Sequence, residues 1–437
     1  MKILSITAGA AGMYCGSCFR DNGLAAELIA RGHDVTLIPV YTPTRTDETN
    51  VSRPDVLFGG ISVYLQQYSA LFRKTPRFLD RLWDSPRVIA AFAGRGVSPD
   101  ARVLGELTIS TLQGEQGVLR KEFEKLVEWT KDEHPPDVIN LPNSLLIAMA
   151  APLKRAFKKP VLCTLQGEEL FLSELADPYR NRALALIQEQ VRHVDQFIAV
   201  SEFCAEFMTR YLKIPPDRIS VVPLGISMDG YSRRMPGERA DEYRVGYFAR
   251  IAPEKGLFEL ANAYVRFRQR AGTAQMTLQV AGYMAPHYGS YLEKAHDVLK
   301  QAGLGDEFIY QGSLDRQGKL DFLRSLDVLS VPATYDEPKG MFLLESMAAG
   351  VPVLQPRRGA FTEVVEKTGG GLLVPPDDVD AVAEGLHKLW SDRTLSATLA
   401  DRAFEGVRAH YTIAQSAVRQ IEVYEFAVRR ARAGLPC

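Results

Sequence analysis

Two glutamates stand eight residues apart within residues 335–353, on either side of a glycine that precedes a helix-forming run. Glu337 lies before Gly340, and Glu345 lies inside the run, which Gly350 is expected to end. The first N–H groups of a helix lack partners within it and carry the positive end of the helix dipole, so they suit a phosphate. Carboxylates accept hydrogen bonds from sugar and ribose hydroxyls. The stretch therefore predicts a site for a nucleotide sugar.

Two cations follow an apolar run in residues 245–256, which read as a strand, a loop and the start of a helix. Fixed cations can stabilise negative charge that builds in a transition state, and Arg250 and Lys255 are candidates for such a role. The alternative interpretation is two solvated surface charges, which is the usual state of a single arginine or lysine.

Both segments resemble signatures of glycosyltransferase family 4, whose members are retaining enzymes with the GT-B fold. The first resembles the E-x7-E signature and the second the G-R-L-x-x-x-K-G segment. The resemblance implies that Arg250 and Lys255 hold the donor diphosphate, and that Glu345 binds ribose while Glu337 binds the donor sugar. It also implies backbone contacts to phosphate from the helix start, at Gly340, Met341 and Phe342. The donor substrate is then a nucleoside-diphosphate sugar, with no cofactor and no metal ion.

The glycine-rich segment after the first predicted strand carries a departure from that pattern. Family members have a Gly-Gly loop here that faces the donor phosphates, and Gly16 matches its second glycine while Cys15 replaces the first. Cys15 and Cys18 also form a C-x-x-C pattern at a helix start, where thiolates are stabilised. A redox pair or half of a zinc site therefore remains an alternative, although zinc needs more ligands.

A second departure falls at the end of the strand over residues 160–165. Many family members place a histidine near the reacting sugar at this point, and here the residue is Gln166. Glutamine donates and accepts hydrogen bonds but is no general base. Retaining transfer by a front-face route does not require one, because the leaving phosphate can take the acceptor proton. Glu168 and Glu169 follow, either as acceptor contacts or as acids favoured at a helix N-terminus.

The remaining matches support the nucleotide site. The loop that contains Gly312 and Leu314, and the one at residues 281–282, correspond to family loops that hold the nucleoside. Residues 369–375 resemble a downstream turn of the family. The D-x-D pattern at residues 378–380 imitates a metal motif of another glycosyltransferase fold, but its position at a helix start favours a capping role.

Alternating strand and helix patterns predict an α/β protein with two Rossmann-like, doubly wound parallel sheets. The resemblance implies that they face a cleft. We expect an acceptor-side domain over residues 1–222, a nucleotide-sugar-binding domain over 223–412 and a helix over 413–437 that crosses back. A helix is expected at residues 23–30. Strands are expected at residues 1–7, 35–40, 137–141, 160–165, 196–200, 219–222, 243–248, 276–281, 307–311, 328–331 and 351–354.

Composition narrows the class of protein. The chain has 437 residues, a net charge of -1, 46% hydrophobic and 24% charged residues, which is typical of a soluble protein of two to three domains. The charge balance argues against nucleic acid as a partner. No apolar run reaches the ~18 residues of a membrane span, and the N-terminus is a poor signal peptide. The expectation is a cytoplasmic protein, and five sparse cysteines predict no disulfide framework.

Residues 42–130 resemble the family least, and acceptor contacts are expected there. The segment over residues 71–87 mixes basic and aromatic side chains. One interpretation is peripheral contact with lipid headgroups at the inner face of the membrane. The favoured one is a solvated helix pair, because Pro76 and Pro86 interrupt a long amphipathic helix. The basic residues concerned are Arg73, Lys74, Arg77, Arg81 and Arg87.

Together these features predict a retaining, metal-independent glycosyltransferase of the hexosyltransferase type. It would move a sugar from a nucleoside-diphosphate sugar to a hydroxyl of a glycan, lipid or small molecule. The alternatives are a nucleotide-sugar epimerase or phosphorylase, a redox protein using Cys15 and Cys18, and a non-catalytic sugar-nucleotide binder. The sequence leaves open the sugar, the base, the acceptor and the oligomeric state.

Overall fold

The computed structural model describes residues 1–9, 16–44, 46–58, 63, 66–67, 101–233 and 242–433. The chain divides into two compact units, Met1–Pro223 with Ser416–Cys437, and Leu224–Gln415. The basic and aromatic segment at residues 71–87 and Cys15 lie outside the described residues.

The first unit is built on a parallel sheet of six strands in the order β2-β1-β3-β4-β5-β6. All residues of β3, β4 and β5 are buried, as expected for a parallel sheet that helices cover on both faces. The prediction of a doubly wound sheet is confirmed here. The strands are β1 (Lys2–Thr7), β2 (Asp34–Pro39), β3 (Val138–Leu141), β4 (Val161–Leu165), β5 (Gln196–Ala199) and β6 (Ile219–Val221).

Helices follow most of these strands. The helix expected over residues 23–30 begins earlier, at Gly16, because its polar first half is buried and internally paired rather than solvated. Asn22, for example, bonds the backbone of Thr49 and Val51. Ser201 caps a helix as predicted, accepting from the Cys204 N–H at 3.0 Å. The helices are α1 (Gly16–Ala30), α2 (Ala101–Gln113), α3 (Arg120–Asp132), α4 (Ala150–Phe157), α5 (Glu168–Glu174), α6 (Tyr179–Gln190) and α7 (Glu202–Leu212).

The second unit repeats the plan with the strand order β12-β11-β10-β7-β8-β9, again all parallel. Its strands are β7 (Tyr243–Phe248), β8 (Met276–Ala281), β9 (Phe308–Tyr310), β10 (Val328–Leu329), β11 (Val353–Pro356) and β12 (Gly371–Val374). Its helices are α8 (Leu257–Ala271), α9 (Gly289–Gln301), α10 (Arg316–Ser325), α11 (Met341–Ala348), α12 (Ala360–Thr368), α13 (Val379–Ser391) and α14 (Arg393–His410). The second doubly wound sheet is therefore confirmed as well.

One element of this sheet was expected to be a turn. Residues 371–374 form the edge strand β12, which pairs with β11 from Val353 to Pro356. Gly369, with φ 63°, ends α12 and redirects the chain, so the apolar residues that follow are free to add to the sheet.

The last helix, α15 (Ile413–Arg432), carries the chain from the second unit to the first, which includes residues from Ser416 onward. Within the first unit, Gln420 and Tyr424 are buried and Gln420 accepts a hydrogen bond from Arg20 at 3.3 Å. None of the helices that the structure describes is both long and apolar enough to span a bilayer.

Candidate functional site

The topology of the second unit points to one place for a ligand. The chain runs from β7 to β8 and β9 on one side and then returns to β10 on the other side of β7. Parallel sheets bind ligands at the carboxyl ends of the strands where the winding reverses. The loop after β7 contains Arg250 and Lys255, and the loop after β10 contains Glu337.

Lys255 is held where these two loops meet. It ends a short 3-10 turn, Pro253–Lys255, and only 8% of the residue is exposed. The following Gly256 has φ 73°, and a Cβ at that position would lie 2.0 Å from the Pro332 carbonyl oxygen. The Thr334 N–H also donates to the Glu254 carbonyl at 3.0 Å. Close backbone packing therefore fixes the position from which Lys255 projects.

Glu337 is the partner of Lys255 and is 3% exposed. Its Oε2 accepts hydrogen bonds from Lys255 Nζ and the Tyr335 hydroxyl, and its Oε1 accepts from the Lys339 N–H at 3.3 Å. Lys255 Nζ also donates to Tyr335 Oη at 2.7 Å. The structure thus brings together two of the predicted catalytic residues, which stand 82 positions apart in the chain.

The charges of this cluster set its protonation. Burial alone would raise the pKa of Glu337, but the ammonium of Lys255 and the hydrogen bonds from Lys255 and Tyr335 lower it to about 2. Burial lowers the pKa of Lys255, and the charge of Glu337 opposes that shift. Glu337 is accordingly a carboxylate at neutral pH, able to accept hydrogen bonds but not to donate a proton.

The N-terminus of α11 lies beside this pair. Gly340 adopts a left-handed conformation with φ 72°, and no side chain of the described residues caps the helix. Met341 and Phe342 form its first turn, and the Phe342 ring centre lies 5.8 Å from Lys255 Nζ. The Phe342 ring packs edge-on against Phe361. The first N–H groups of α11 and the Lys255 ammonium therefore supply positive potential at one place.

Arg250 is placed differently from Lys255. Its side chain is 50% exposed and pairs with Glu254, four residues further along the chain, at 2.9 Å. Its charge is nevertheless close enough to lower the pKa of Lys255. The structure therefore puts both predicted diphosphate cations in the same loop, one buried and one half-exposed.

Glu345 belongs to a separate cluster further along α11. Its Oε1 accepts from Lys319 Nζ at 2.8 Å and from the Tyr231 hydroxyl at 3.5 Å. The ring of Tyr231 is itself covered by the guanidinium of Arg316, 5.2 Å from the ring centre. Nothing local marks Lys319 in the sequence, because a lysine normally faces solvent.

The predicted nucleoside loop lies after β9. Gly312 has φ 72°, and no atom of the described residues lies within 4 Å of a Cβ added to it. Its carbonyl accepts from the Gly282 N–H at 2.8 Å, which joins the loops after β8 and β9. Leu314 is half-buried at the start of α10. Among the described residues, the backbone at Gly312 therefore has open space where a side chain would stand.

The first unit holds the other two predicted residues. Gly16 is the first residue of α1. Gln166 is buried at the end of β4, where its Nε2 donates to the Pro142 carbonyl at 2.9 Å and to Asp21 Oδ1 at 3.3 Å. No described residue hydrogen bonds its buried Oε1. Asp21 was not anticipated, because nothing local marks it in a helix whose first half read as a loop.

Glu168 plays a local role in the same region. Its two carboxylate oxygens accept from the backbone N–H groups of Ser144 and Gln166, at 2.8 and 2.7 Å. It therefore holds the loop that carries Gln166. Glu168 and Glu169 both stand in the first turn of α5, as the helix N-terminus interpretation expects.

Two further features of the sequence are the D-x-D pattern and the cysteines. Asp378 accepts from the Ala381 N–H at 2.9 Å and Asp380 pairs with Arg266 at 2.6 Å, so helix capping is confirmed for the first of the two. Cys163 is buried as expected, and burial raises the pKa of its thiol. Cys18 is fully buried as well.

Two protein-family models match the chain. The Glycosyltransferase Family 4 model covers residues 88–229 and the Glycosyl transferases group 1 model covers residues 232–406. Between them they include the segments around Gln166, Lys255 and Glu337. These matches confirm the resemblance that the sequence motifs carried.

Among individual proteins, the D-inositol 3-phosphate glycosyltransferase of Kribbella flavida is 28% identical over 228 residues, which are 50% of this chain and 53% of the relative. The chain spans about half the length of the curated relatives it matches, 60% and 53% for the first two.

Solved structures are similar in fold to this chain over nearly its whole length. Sucrose-phosphate synthase from Thermosynechococcus elongatus superposes with a TM-score of 0.69 at 19% identity, covering 97% of this chain and 98% of that one. HepE of Anabaena, solved in complex with UDP-glucose, gives a TM-score of 0.66 at 17% identity, covering 98% and 100%. The fold is therefore GT-B, with two Rossmann-like domains.

Proposed function

Because the chain belongs to glycosyltransferase family 4, we propose that it is a retaining, metal-independent glycosyltransferase. It moves a sugar from a nucleoside-diphosphate sugar to an acceptor hydroxyl. The single observation that carries this proposal is the buried Lys255–Glu337 pair at the reversal point of the second sheet, beside the N-terminus of α11, which no described side chain caps. A buried cation and a buried carboxylate in one place suit a ligand with both phosphate and hydroxyl groups.

The donor is held by the second unit in this proposal. Lys255 and Arg250 bind the diphosphate, with the backbone of Gly340 to Phe342 contributing N–H groups. Glu337 accepts hydrogen bonds from hydroxyls of the donor sugar. Glu345 accepts them from the ribose, and the loop of Gly312 and Leu314 holds the nucleoside. Support for a nucleotide sugar comes from HepE, which is similar in fold and was solved with UDP-glucose.

The chemistry needs charge stabilisation more than a protein base. The bond between the anomeric carbon and the phosphate oxygen breaks, and the acceptor oxygen bonds to the same face of that carbon. The acceptor proton passes to the leaving phosphate oxygen, so that charges and atoms balance. Lys255 and Arg250 stabilise the diphosphate as its charge grows. Glu337, ionised with its pKa at about 2, stays an acceptor throughout.

Gln166, in the first unit, is suited to this transfer without a protein base. It cannot take a proton, but its buried Oε1, which no described residue bonds, is able to accept a hydrogen bond from the acceptor hydroxyl. Its amide is oriented by Asp21 and Pro142. We assign it the positioning of the acceptor rather than proton transfer.

A thermal-shift screen tests the donor site. Wild type is measured without metal, in EDTA, against nucleoside diphosphates and their sugars at about one hundred times Kd. One nucleotide series should raise the melting temperature by about 5–10 °C, since a ligand that binds only the native state stabilises it. Lys255→Ala and Arg250→Ala should each lose most of that shift, read against the variant's own melting temperature. Lys300→Ala, an exposed lysine on α9, should retain it.

A transfer assay then separates the proposal from its alternatives. A transferase yields product only with an acceptor present, whereas an epimerase converts the donor alone. Lys255→Ala should lower the transfer rate roughly 10²–10³-fold, the usual cost of removing a group that stabilises transition-state charge. No melting shift with any nucleotide would contradict the transferase proposal itself.

A further inference from the structure

Lys319 is a buried charge in the second unit to which the proposed function gives no role. It lies in the first half of α10 and is 5% exposed. Lysine is almost never buried without a partner, because moving an ammonium out of water is costly. Its Nζ donates to Glu345 Oε1 at 2.8 Å, and both side chains are largely excluded from solvent. The pair joins α10 to α11, and α10 begins directly after the proposed nucleoside loop.

The two carboxylate oxygens of Glu345 differ in their hydrogen-bond partners. Oε1 accepts from Lys319 and from the Tyr231 hydroxyl. Within the described residues, no group donates to Oε2. A carboxylate held through one oxygen presents the other in a defined direction, and an ionised oxygen forms stronger hydrogen bonds with hydroxyls than a neutral one.

We propose that Lys319 is a positioning residue that orients Glu345 through Oε1 and so sets the preference of this site for ribose over deoxyribose. The inference rests on the proposed function, in which Glu345 binds the ribose hydroxyls. Lys319 acts through Glu345 and touches no ligand. The pair also fixes the distance between the proposed nucleoside loop at Gly312 and the N–H groups at the start of α11 that are proposed to bind phosphate.

The test compares the affinities of UDP and 2′-deoxy-UDP, and of GDP and 2′-deoxy-GDP, by titration calorimetry. For the base that binds, wild type should prefer the ribose form by about 10-fold or more, as expected for a hydrogen bond to a carboxylate. Lys319→Met should reduce that preference to about threefold or less. Lys319→Arg should restore most of it, and Lys300→Met, which changes an exposed lysine, should leave it unchanged.

A second set of variants separates a specific effect on ribose preference from a loss of folding. Glu345→Gln should lose the ribose preference, and Lys319→Met added to Glu345→Gln should change it no further, because Lys319 acts only through the carboxylate. Circular dichroism and the melting temperature show whether each variant is folded. If Lys319→Met fails to fold, the Glu345→Gln/Lys319→Met protein, in which both charges are removed, supplies the comparison with Glu345→Gln.

The outcomes distinguish a failure of this inference from a failure of the proposed function on which it rests. If wild type binds no nucleoside diphosphate, the proposed function fails and this inference fails with it. If wild type binds one but shows no ribose preference, or if folded Lys319→Met keeps the full preference, the inference alone is overturned. The same holds if Glu345→Gln keeps the ribose preference, because Lys319 would then have no carboxylate through which to act.

Discussion

At the scale of single residues, the second unit contains two buried lysines, although moving an ammonium group out of water is costly. Lys255 and Lys319 are both buried and each is matched by one glutamate of the E-x7-E pair, Glu337 and Glu345. In the proposed function, each of these glutamates accepts hydrogen bonds from hydroxyls of the nucleotide sugar. Removing either partner leaves a buried charge uncompensated, which costs about 3–5 kcal/mol.

The low pKa of Glu337 predicts how its contribution to stability depends on pH. Its folded pKa of about 2 lies below the ordinary value of 4.5, so the stabilisation is complete above about pH 4.5 and is lost as the pH falls towards 2. Urea unfolding of wild type and Glu337→Gln should differ by about 3 kcal/mol, constant from pH 7 to 5 and shrinking below 4.5.

The control for this experiment is Asp297→Asn, which removes an exposed pair with Lys300. That change should cost about 0–1 kcal/mol at neutral pH. A Glu337 contribution that already declined between pH 7 and 6 would contradict a lowered pKa and would show that burial outweighs Lys255.

At the scale of elements, the site depends on turns that bring strand ends into contact. Gly256 permits the loop after β7 to approach the loop after β10, because it has no Cβ, which would otherwise lie 2.0 Å from the Pro332 carbonyl oxygen. Gly359 acts similarly, because a Cβ there would lie 2.4 Å from the Glu337 carbonyl oxygen, and the Ala360 N–H donates to that carbonyl at 2.8 Å. The positions of Lys255 and Glu337 are therefore set mainly by backbone contacts.

Gly256→Ala should accordingly be much more harmful than an alanine at a comparable glycine. Gly303 has almost the same backbone angle, φ 75° against 73°, but no described atom lies within 4 Å of a Cβ there. Gly303→Ala should cost about 1 kcal/mol from backbone strain. Gly256→Ala adds a collision with backbone and should cost about 3 kcal/mol or more.

Chemical denaturation of both variants measures these costs, and nucleotide affinity measures the effect on the site. Gly256→Ala should also weaken nucleotide binding at least tenfold, because it displaces Lys255. Equal destabilisation by the two substitutions would show that the approach of the loops is not what Gly256 provides.

At the scale of the whole molecule, the chain returns to its first unit through α15. Gln420 from this helix accepts a hydrogen bond from Arg20, Arg20 pairs with Asp21 at 3.2 Å, and Asp21 accepts from Gln166. All four side chains are buried. The end of the chain is thereby linked to Gln166 through a continuous polar network inside one unit.

Arg20→Met should destabilise the first unit by about 3–5 kcal/mol, because it leaves Asp21 without its buried cation. Arg31→Met, which removes an exposed pair with Glu27 in the same helical region, should cost about 0–1 kcal/mol. Calorimetry checks both values. Nucleotide affinity of the folded Arg20→Met protein should stay within twofold of wild type, since we place the donor in the second unit; a larger loss would contradict that assignment.

The sequence by itself determined the two parallel sheets, the family and the segments that carry the site. Its signals are local: apolar runs for the strands, Gly340 before a helix-forming run, and acids and cations at strand ends. Local signals were least informative where polar residues turn inward, as in the first half of α1, and where apolar residues after three glycines join a sheet edge as β12.

Only the tertiary structure decided which charged and polar side chains meet. Lys255 and Glu337 are 82 residues apart, Lys319 and Glu345 are 26 apart, and Gln166 and Asp21 are 145 apart. A lysine or an aspartate on a helix has the same local pattern whether it faces water or a partner. The cost of burying its charge is offset only by a group that the winding of the sheet brings to it, and the order of strands is a property of the folded chain.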